Sequence, residues 1–449
     1  MPVLNGTDNN MRGKDMIRCN NQNCFINYFF GVKSMKNIYL AFFVMILMFI
    51  GCEKNTIENK TNGDGVKTDN VLYDTDGMLL INGQRTFIIG SYHLPKTETP
   101  FVTLKENGFY YVHVSPDKKQ LDQAQKNGLR VWIGTGVIRE DHAQEDRARI
   151  KKTVEVYKDH PALLCWEIAD EPAFTWKSAK MRIKPKAMIE TYNLIKSIDK
   201  KHLIYTNHGP VNLISTLKKY NPATDITSVD VYPVIPHGIT PTYALYDDGL
   251  QGDLLNSYIS QVGEYMEKMR KVAGPGRPVF AVLQGFAWEA LKKEQERNPK
   301  MILYPTLAES RFMAYDAIVH GAVGINYWGM SYSPQPGKFI DNLYKVTREL
   351  SQMQVVLSAR KYDLKIDKAY HELGYSVDTG IEILAKRVDG KIYLLTVNSD
   401  KNPVKVTLKG LPQKLKSAQV LQENRKVDIV NGELTDSYKA FDTHIYKLQ

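Results

Sequence analysis

The chain has 449 residues, more than one ordinary domain holds and enough for two or three. Hydrophobic residues make up 43% and charged residues 24%, a globular composition that excludes a mostly disordered chain. Lys and Arg number 59 against 49 Asp and Glu, a formal net charge of +10, but the lysines are spread thinly with no basic block, so no nucleic-acid partner is expected.

The first segment reads as an address. Met35 and Lys36 precede an apolar run over 38–50, closed by Gly51 and Cys52. A charged start, a short apolar stretch and a small residue before the break describe a secretory signal. The run is shorter than the ~20 residues a membrane-spanning helix needs. Its Gly-Cys ending resembles a bacterial lipoprotein signal, which implies Cys52 as a lipidated new N-terminus. Residues 1–51 are then an upstream extension plus signal. Residues 52–70, rich in Asn, Thr, Lys, Gly and Asp, form a flexible tether. This places the protein outside the cytoplasm, in the periplasm or at the cell surface, touching the membrane only through its N-terminal lipid. The other cysteines, Cys19, Cys24 and Cys165, show neither a metal pattern nor a disulfide framework.

Residues 71–87 predict a hairpin about the turn Asn82-Gly83. Eight short apolar runs follow, at 87–93, 110–114, 131–136, 163–169, 202–207, 226–231, 279–283 and 324–328. Helical patterns fall between them, at 119–127, 147–160, 187–199, 254–272 and 307–320, with Gly108, Gly128, Gly274 and Gly321 as helix stops. Eight strands alternating with helices predict a (β/α)8 TIM barrel over 71–359. No GxGxxG follows the first strand, so an open dinucleotide-binding sheet has no support. After a helix at 342–358 the rhythm changes to short alternating runs with turn signals at Asp389-Gly390, Asn402-Pro403 and Asn431-Gly432. Residues 360–449 therefore read as a small antiparallel β-sandwich packed on the barrel.

Polar residues gather at the ends of the predicted strands, where barrels build their sites. The fourth run is the most informative: Cys165-Trp166-Glu167-Ile168-Ala169-Asp170-Glu171-Pro172 ends an apolar strand in two adjacent acids. One of two such acids can be kept protonated by burial and by the other's charge, and a protonated carboxyl beside a glycosidic oxygen is a general acid. The alternative is an ordinary Asp-Glu cap on the next helix.

The motif Trp-Glu-Ile-Ala-Asp-Glu-Pro resembles the fourth-strand signature of clan A glycoside hydrolases, in which Asn-Glu-Pro supplies the acid/base glutamate. The resemblance extends over the barrel. Tyr232 in Val231-Tyr232-Pro233 resembles the sixth-strand tyrosine that contacts the catalytic carboxylate, and Trp328 in Asn326-Tyr327-Trp328 resembles the eighth-strand tryptophan under the sugar. It implies a carbohydrate substrate, no cofactor and Glu171 as proton donor.

Two departures separate the chain from that pattern. Asp170 stands where the family has Asn, and an ionised Asp only accepts hydrogen bonds. At the seventh strand end, Gln284 (or Leu283 on a stricter count) stands where the family has its nucleophilic glutamate. An amide cannot take that role. Three routes remain open. Asp230, or failing it Glu289, activates a water. Alternatively, Asp170 orients a 2-acetamido group of the substrate, or the chain binds sugar without cleaving it. Gln284 is expected to face the site and bond substrate, alongside His93, His113, His208, Tyr232, Trp288 and Trp328. Trp132 is either a platform or barrel core. The histidines come from separate strands without a paired motif, so no metal is expected.

Overall fold

The computed structural model describes residues 71–174, 180–236, 256–371 and 380–449. The expected signal, Cys52 and the tether lie outside these residues.

Three short strands, β1 (Val71–Tyr73), β2 (Leu79–Ile81) and β3 (Gln84–Thr86), form an antiparallel sheet ahead of the barrel. Ile81 pairs with Gln84 across Asn82-Gly83, and both turn residues have positive φ, 52° and 79°. That is the mirror-image turn whose twist matches a hairpin.

The eight strands that follow are β4 (Ile88–Ser91), β5 (Tyr111–Val114), β6 (Arg130–Gly134), β7 (Leu163–Glu167), β8 (Leu203–His208), β9 (Ile226–Val231), β10 (Val279–Gln284) and β11 (Gly324–Trp328). They pair in parallel in chain order, and β11 closes on β4 to make a barrel. All eight predicted runs became barrel strands. The fourth ends at Glu167, two residues early, so the acids beyond it stand on irregular chain.

The helices α1 (Pro100–Glu106), α2 (Lys118–Lys126), α3 (Ala143–Tyr157), α4 (Pro185–Ile198), α5 (Ile214–Lys218), α6 (Gln261–Ala273), α7 (Leu307–Val319), α8 (Lys338–Gln352) and α9 (Gln354–Ser358) alternate with or follow the strands. Gly108, Gly128, Gly274 and Gly321 all take positive φ just past helix ends, where a side chain would be strained. Thr306 and Glu309 form a reciprocal capping box on α7.

Inside the barrel the two-residue period of each strand selects the inward set. Tyr111, Trp132, Tyr205 and Phe280 fill the interior and are all essentially inaccessible. Position 90 is glycine because a side chain there would overlap Tyr111 and Asn326. Tyr205 is tied across the interior: its hydroxyl meets that of Tyr92 at 2.8 Å and accepts from Asn326 Nδ2 at 3.2 Å. Burying these hydroxyls without partners would cost about 1–3 kcal/mol each, so the polar interior is locked rather than fluid.

The last eight strands, β12 (Asp367–Tyr370), β13 (Ile381–Val388), β14 (Lys391–Asn398), β15 (Val404–Lys409), β16 (Ser417–Val420), β17 (Arg425–Val430), β18 (Glu433–Tyr438) and β19 (Thr443–Leu448), are antiparallel. They form one hydrogen-bonded sheet in the order β12-β15-β18-β17-β16-β19-β14-β13. In the expected antiparallel β-sandwich, β17 pairs with both β16 and β18, which joins its two halves into one continuous sheet. Val406, Leu434, Leu394 and Tyr446, from opposite halves of that sheet, share one apolar cluster. Leu395, Val397 and Ile445 join the barrel's own core, and Arg311 of α7 donates to the Thr443 carbonyl at 2.6 Å. The sheet braces the barrel from outside.

Candidate active site

Four carboxyl groups converge at the C-terminal end of the barrel, from β7, the segment after it and β9. Glu167 is the last residue of β7 and, with Cys165, belongs to its inward set. Its Oε2 accepts from Trp132 Nε1 at 3.2 Å and lies 3.9 Å from His113 Nε2, while Oε1 is buried without a partner. Beyond it the chain turns sharply, and Glu171 sits at φ 43°, a left-handed conformation that is costly for a side-chain-bearing residue.

Asn207 holds this turn. Its carbonyl accepts the Glu171 N–H at 3.0 Å, and its Nδ2 donates to Asp170 Oδ1 at 3.0 Å. Arg182 completes the frame, with Nη1 3.1 Å from Glu171 Oε2 and its guanidinium 5.2 Å from the Phe174 ring. The next helix, α4, starts only at Pro185 behind Lys184, so Asp170 and Glu171 are not its cap. Asp230, inward on β9, hydrogen-bonds Glu171 side chain to side chain.

The electrostatics follow from crowding four acids beside Arg182. Burial pushes Glu171 up to about 7, the charge of Asp170 adds to this and Arg182 opposes it. Burial and then Asp170 push Glu167 up to about 8, against the Trp132 hydrogen bond. Asp170 and Asp230 are also raised, both chiefly by burial. Asp170 is solvent-accessible even though densely surrounded, as at the floor of a cleft. Asp230 is pushed well above the usual carboxylate range, by burial first and then by the charges of Glu171 and Asp170. The contact between Asp230 and Glu171 has a chemical consequence. An inverting pair needs its carboxyls about 6.5–9.5 Å apart to admit a water, and hydrogen-bonded carboxyls leave no such gap.

Facing the acids is a row of aromatic rings. Trp288, Tyr232, Trp328 and Tyr332 follow one another with centroid steps of 6.2, 5.8 and 5.6 Å. The buried Phe286 supports the first three, at 5.0–5.2 Å from each. Trp288 Nε1 donates to the Tyr232 carbonyl at 3.2 Å, which fixes its ring. His93 lies edge-on to Trp328 at 5.7 Å and accepts the Gly329 N–H on Nδ1 at 3.2 Å. Burial lowers the pKa of both His93 and His113, that of His113 to about 4, so both are neutral near pH 7.

Several expectations need correction. His208 is 1% exposed and turns away from the interior, because Tyr205 and Asn207 occupy the inward positions of β8. Its ring packs 5.8 Å from Tyr220, so it does not reach the cleft. Gln284 does not present its amide to a ligand. The side chain is fully buried and bonded to the backbone of Val234 and Phe286. Glu289 is committed to the Asn298 N–H at 2.6 Å and to Lys292 at 2.9 Å, which hold it ionised and away from base chemistry. Trp132 is barrel core, with no accessible face.

Sequence reasoning missed Glu167, Asn207, Arg182 and Tyr332. The two-residue period carried a signal for the first two. Stepping inward from Cys165 reaches Glu167, and stepping inward from Tyr205 reaches Asn207 rather than His208. Arg182 lies eleven positions beyond Glu171 and carried no local signal. Among the described residues no group of three or more His, Cys, Asp or Glu side chains is placed to hold a metal ion.

Comparison with known proteins places this geometry in context. The family profile described as GH family 5 beta-mannosidase-like matches residues 126–297, a span that includes Asp170, Glu171, Asp230 and Gln284. A probable mannan endo-1,4-beta-mannosidase A-2 of Aspergillus terreus is 28% identical over 141 residues, covering 25% of this chain and 35% of that protein. The match thus spans about a third of that relative's length. Among solved structures, a glycoside hydrolase family 5 protein from Bacteroides vulgatus aligns with a TM-score of 0.56 and 14% identity, over 84% of this chain and 92% of its own. A family 27 β-L-arabinopyranosidase from Geobacillus stearothermophilus aligns with a TM-score of 0.53 and 10% identity, over 81% and 97%. An alpha-amylase from Geobacillus thermoleovorans gives 0.51 and 11%, over 82% and 99%. At these identities the structural likeness is one of fold.

Proposed function

We propose that the chain is a glycosidase in which Glu171 is the general acid. The observation that carries this reading is a carboxyl pushed up to about 7, on a strained turn at the end of the fourth barrel strand, facing an aromatic wall. Such a group holds a proton near neutral pH and can give it to a leaving oxygen, a contribution typically worth about 10²–10⁴-fold. The match to the mannosidase-like profile across this part of the barrel supports the reaction class. A β-1,4-linked mannan is the first substrate to try, given the Aspergillus terreus relative.

With Asp230 bonded to Glu171 and Gln284 tied to the backbone, Asp170 is the carboxylate that faces the cleft. We assign it the second role, acting on the sugar carbon or orienting a 2-acetamido group that does so. Either way the anomeric configuration is retained. NMR of the first-formed product tests this, and an inverted anomer would return the role to Asp230.

The second reading is a sugar-binding protein that does not cleave. It draws on the amide at position 284, which cannot serve as a nucleophile. A glycan panel assayed for both reducing-sugar release and binding separates the two: binding without release selects the second.

We further propose that the mature chain starts at a lipid-bearing Cys52 and works outside the cytoplasm. The Gly51-Cys52 junction after the apolar run supports this.

A further inference from the structure

Tyr332 is 46% exposed, and of the large exposed hydrophobic side chains among the described residues only Tyr73, in the N-terminal sheet, is also aromatic. An isolated exposed tyrosine needs no explanation. Tyr332 is not isolated. It extends the row of rings past Trp328, at 5.6 Å and a 32° tilt, and stands edge-on to His93 at 5.8 Å.

Its backbone is fixed by the fold. The Tyr332 N–H donates to the Gly329 carbonyl at 2.9 Å, and the next residue, Ser333, donates its hydroxyl to the Gly285 carbonyl at 3.1 Å. Gly329 takes φ 89°, and a Cβ there would fall 2.5 Å from the Phe286 ring. The turn carrying Tyr332 is therefore locked to the support of the aromatic wall, and the ring is pre-organised rather than loose. Beside it, His93 has its Nδ1 occupied as an acceptor, so the neutral ring carries its proton on Nε2. An aromatic face with an adjacent N–H donor is the chemistry that receives a sugar ring and one of its hydroxyls.

We propose that Tyr332 and the Nε2–H of His93 form a second sugar subsite next to the one floored by Trp328, so that the cleft grips an oligosaccharide of at least two units. The proposal rests on the glycosidase reading for the identity of the ligand. The test compares the wild-type chain with Tyr332→Ala and Tyr332→Phe on β-1,4-linked manno-, gluco- and xylo-oligosaccharides of one to six units. Hydrolysis is followed in active protein, and calorimetric binding in the Glu171→Gln background.

In the wild type, kcat/KM and affinity should rise sharply from one unit to two. Tyr332→Ala should shrink that rise about tenfold, the scale of one lost aromatic contact, and Tyr332→Phe should restore it. If Tyr332→Ala leaves the chain-length dependence intact while hydrolysis continues, the subsite is wrong and the glycosidase reading stands. If oligosaccharides bind with the expected Tyr332 dependence but none is cleaved, the subsite stands and the glycosidase reading falls. Failure of every oligosaccharide to bind rejects the subsite.

Discussion

Gln284 is hydrogen-bonded twice to Val234: its Oε1 accepts the Val234 N–H and its Nε2 donates to the Val234 carbonyl, both at 2.9 Å. A third bond runs from Nε2 to the Phe286 carbonyl at 3.1 Å. The side chain at the end of the seventh strand thus clips the segment after β9 to the segment after β10, and in doing so sets the backbone between Tyr232 and the Phe286 support.

Gln284→Glu should therefore fail to create a nucleophile. The new carboxylate would face two carbonyl oxygens that had been receiving a donor. Losing these bonds while leaving buried acceptors unpaired costs about 1–3 kcal/mol. Denaturant unfolding should show that loss, and mass spectrometry with a mechanism-based fluoro-sugar should find no adduct at position 284. An adduct there would show that the seventh-strand site needs only a carboxylate.

Glu171→Gln should reduce turnover about 10²–10⁴-fold with little change in fold, since the amide keeps the shape but has no proton to give. The same assignment fixes a pH dependence. Glu171 is active while protonated, so kcat/KM should fall as pH rises through about 7. In Glu171→Gln that alkaline limb should be absent from the residual rate. An alkaline limb unchanged by the substitution would move the acid role elsewhere.

Glu167 makes a separate prediction about stability. The folded chain holds its proton up to about pH 8, whereas the unfolded carboxyl releases it near 4.5. Between these values the native state binds more protons than the unfolded state, so stability falls as pH rises. Thermal unfolding of Glu167→Gln should lack this component. Its Tm should gain on wild type between pH 5 and pH 9, with the difference largest at pH 9. A constant Tm difference over that range would mean that Glu167 titrates alike in both states.

Cys52→Ser should move the protein from the membrane to the soluble fraction, because a single thioether-linked lipid is the proposed attachment. Persistence in the membrane fraction would point to an uncleaved apolar segment instead.

The order of elements and the barrel itself were legible in the chain because the signals are local. Asn82-Gly83, Asp389-Gly390 and Asn431-Gly432 adopt paired positive φ values, a preference of two residues that needs no distant partner. The strand β18 beyond Asn431-Gly432 carries little local signal, because Glu433-Leu434-Thr435-Asp436-Ser437-Tyr438 is mostly polar; its alternation becomes visible only when Leu434 and Tyr438 are seen to enter the core. The Asp170-Glu171 pair was likewise readable, since adjacent acids ending an apolar strand are conspicuous at any scale. What each acid does was not readable. Asn207, 37 positions from Asp170, anchors the turn, Asp230 reaches Glu171 from another strand, and Val234 and Phe286 absorb the amide of Gln284. Protonation and hydrogen-bond capacity depend on which groups the closed barrel brings within a few ångströms, and that set is decided by strand register and closure rather than by neighbours in sequence.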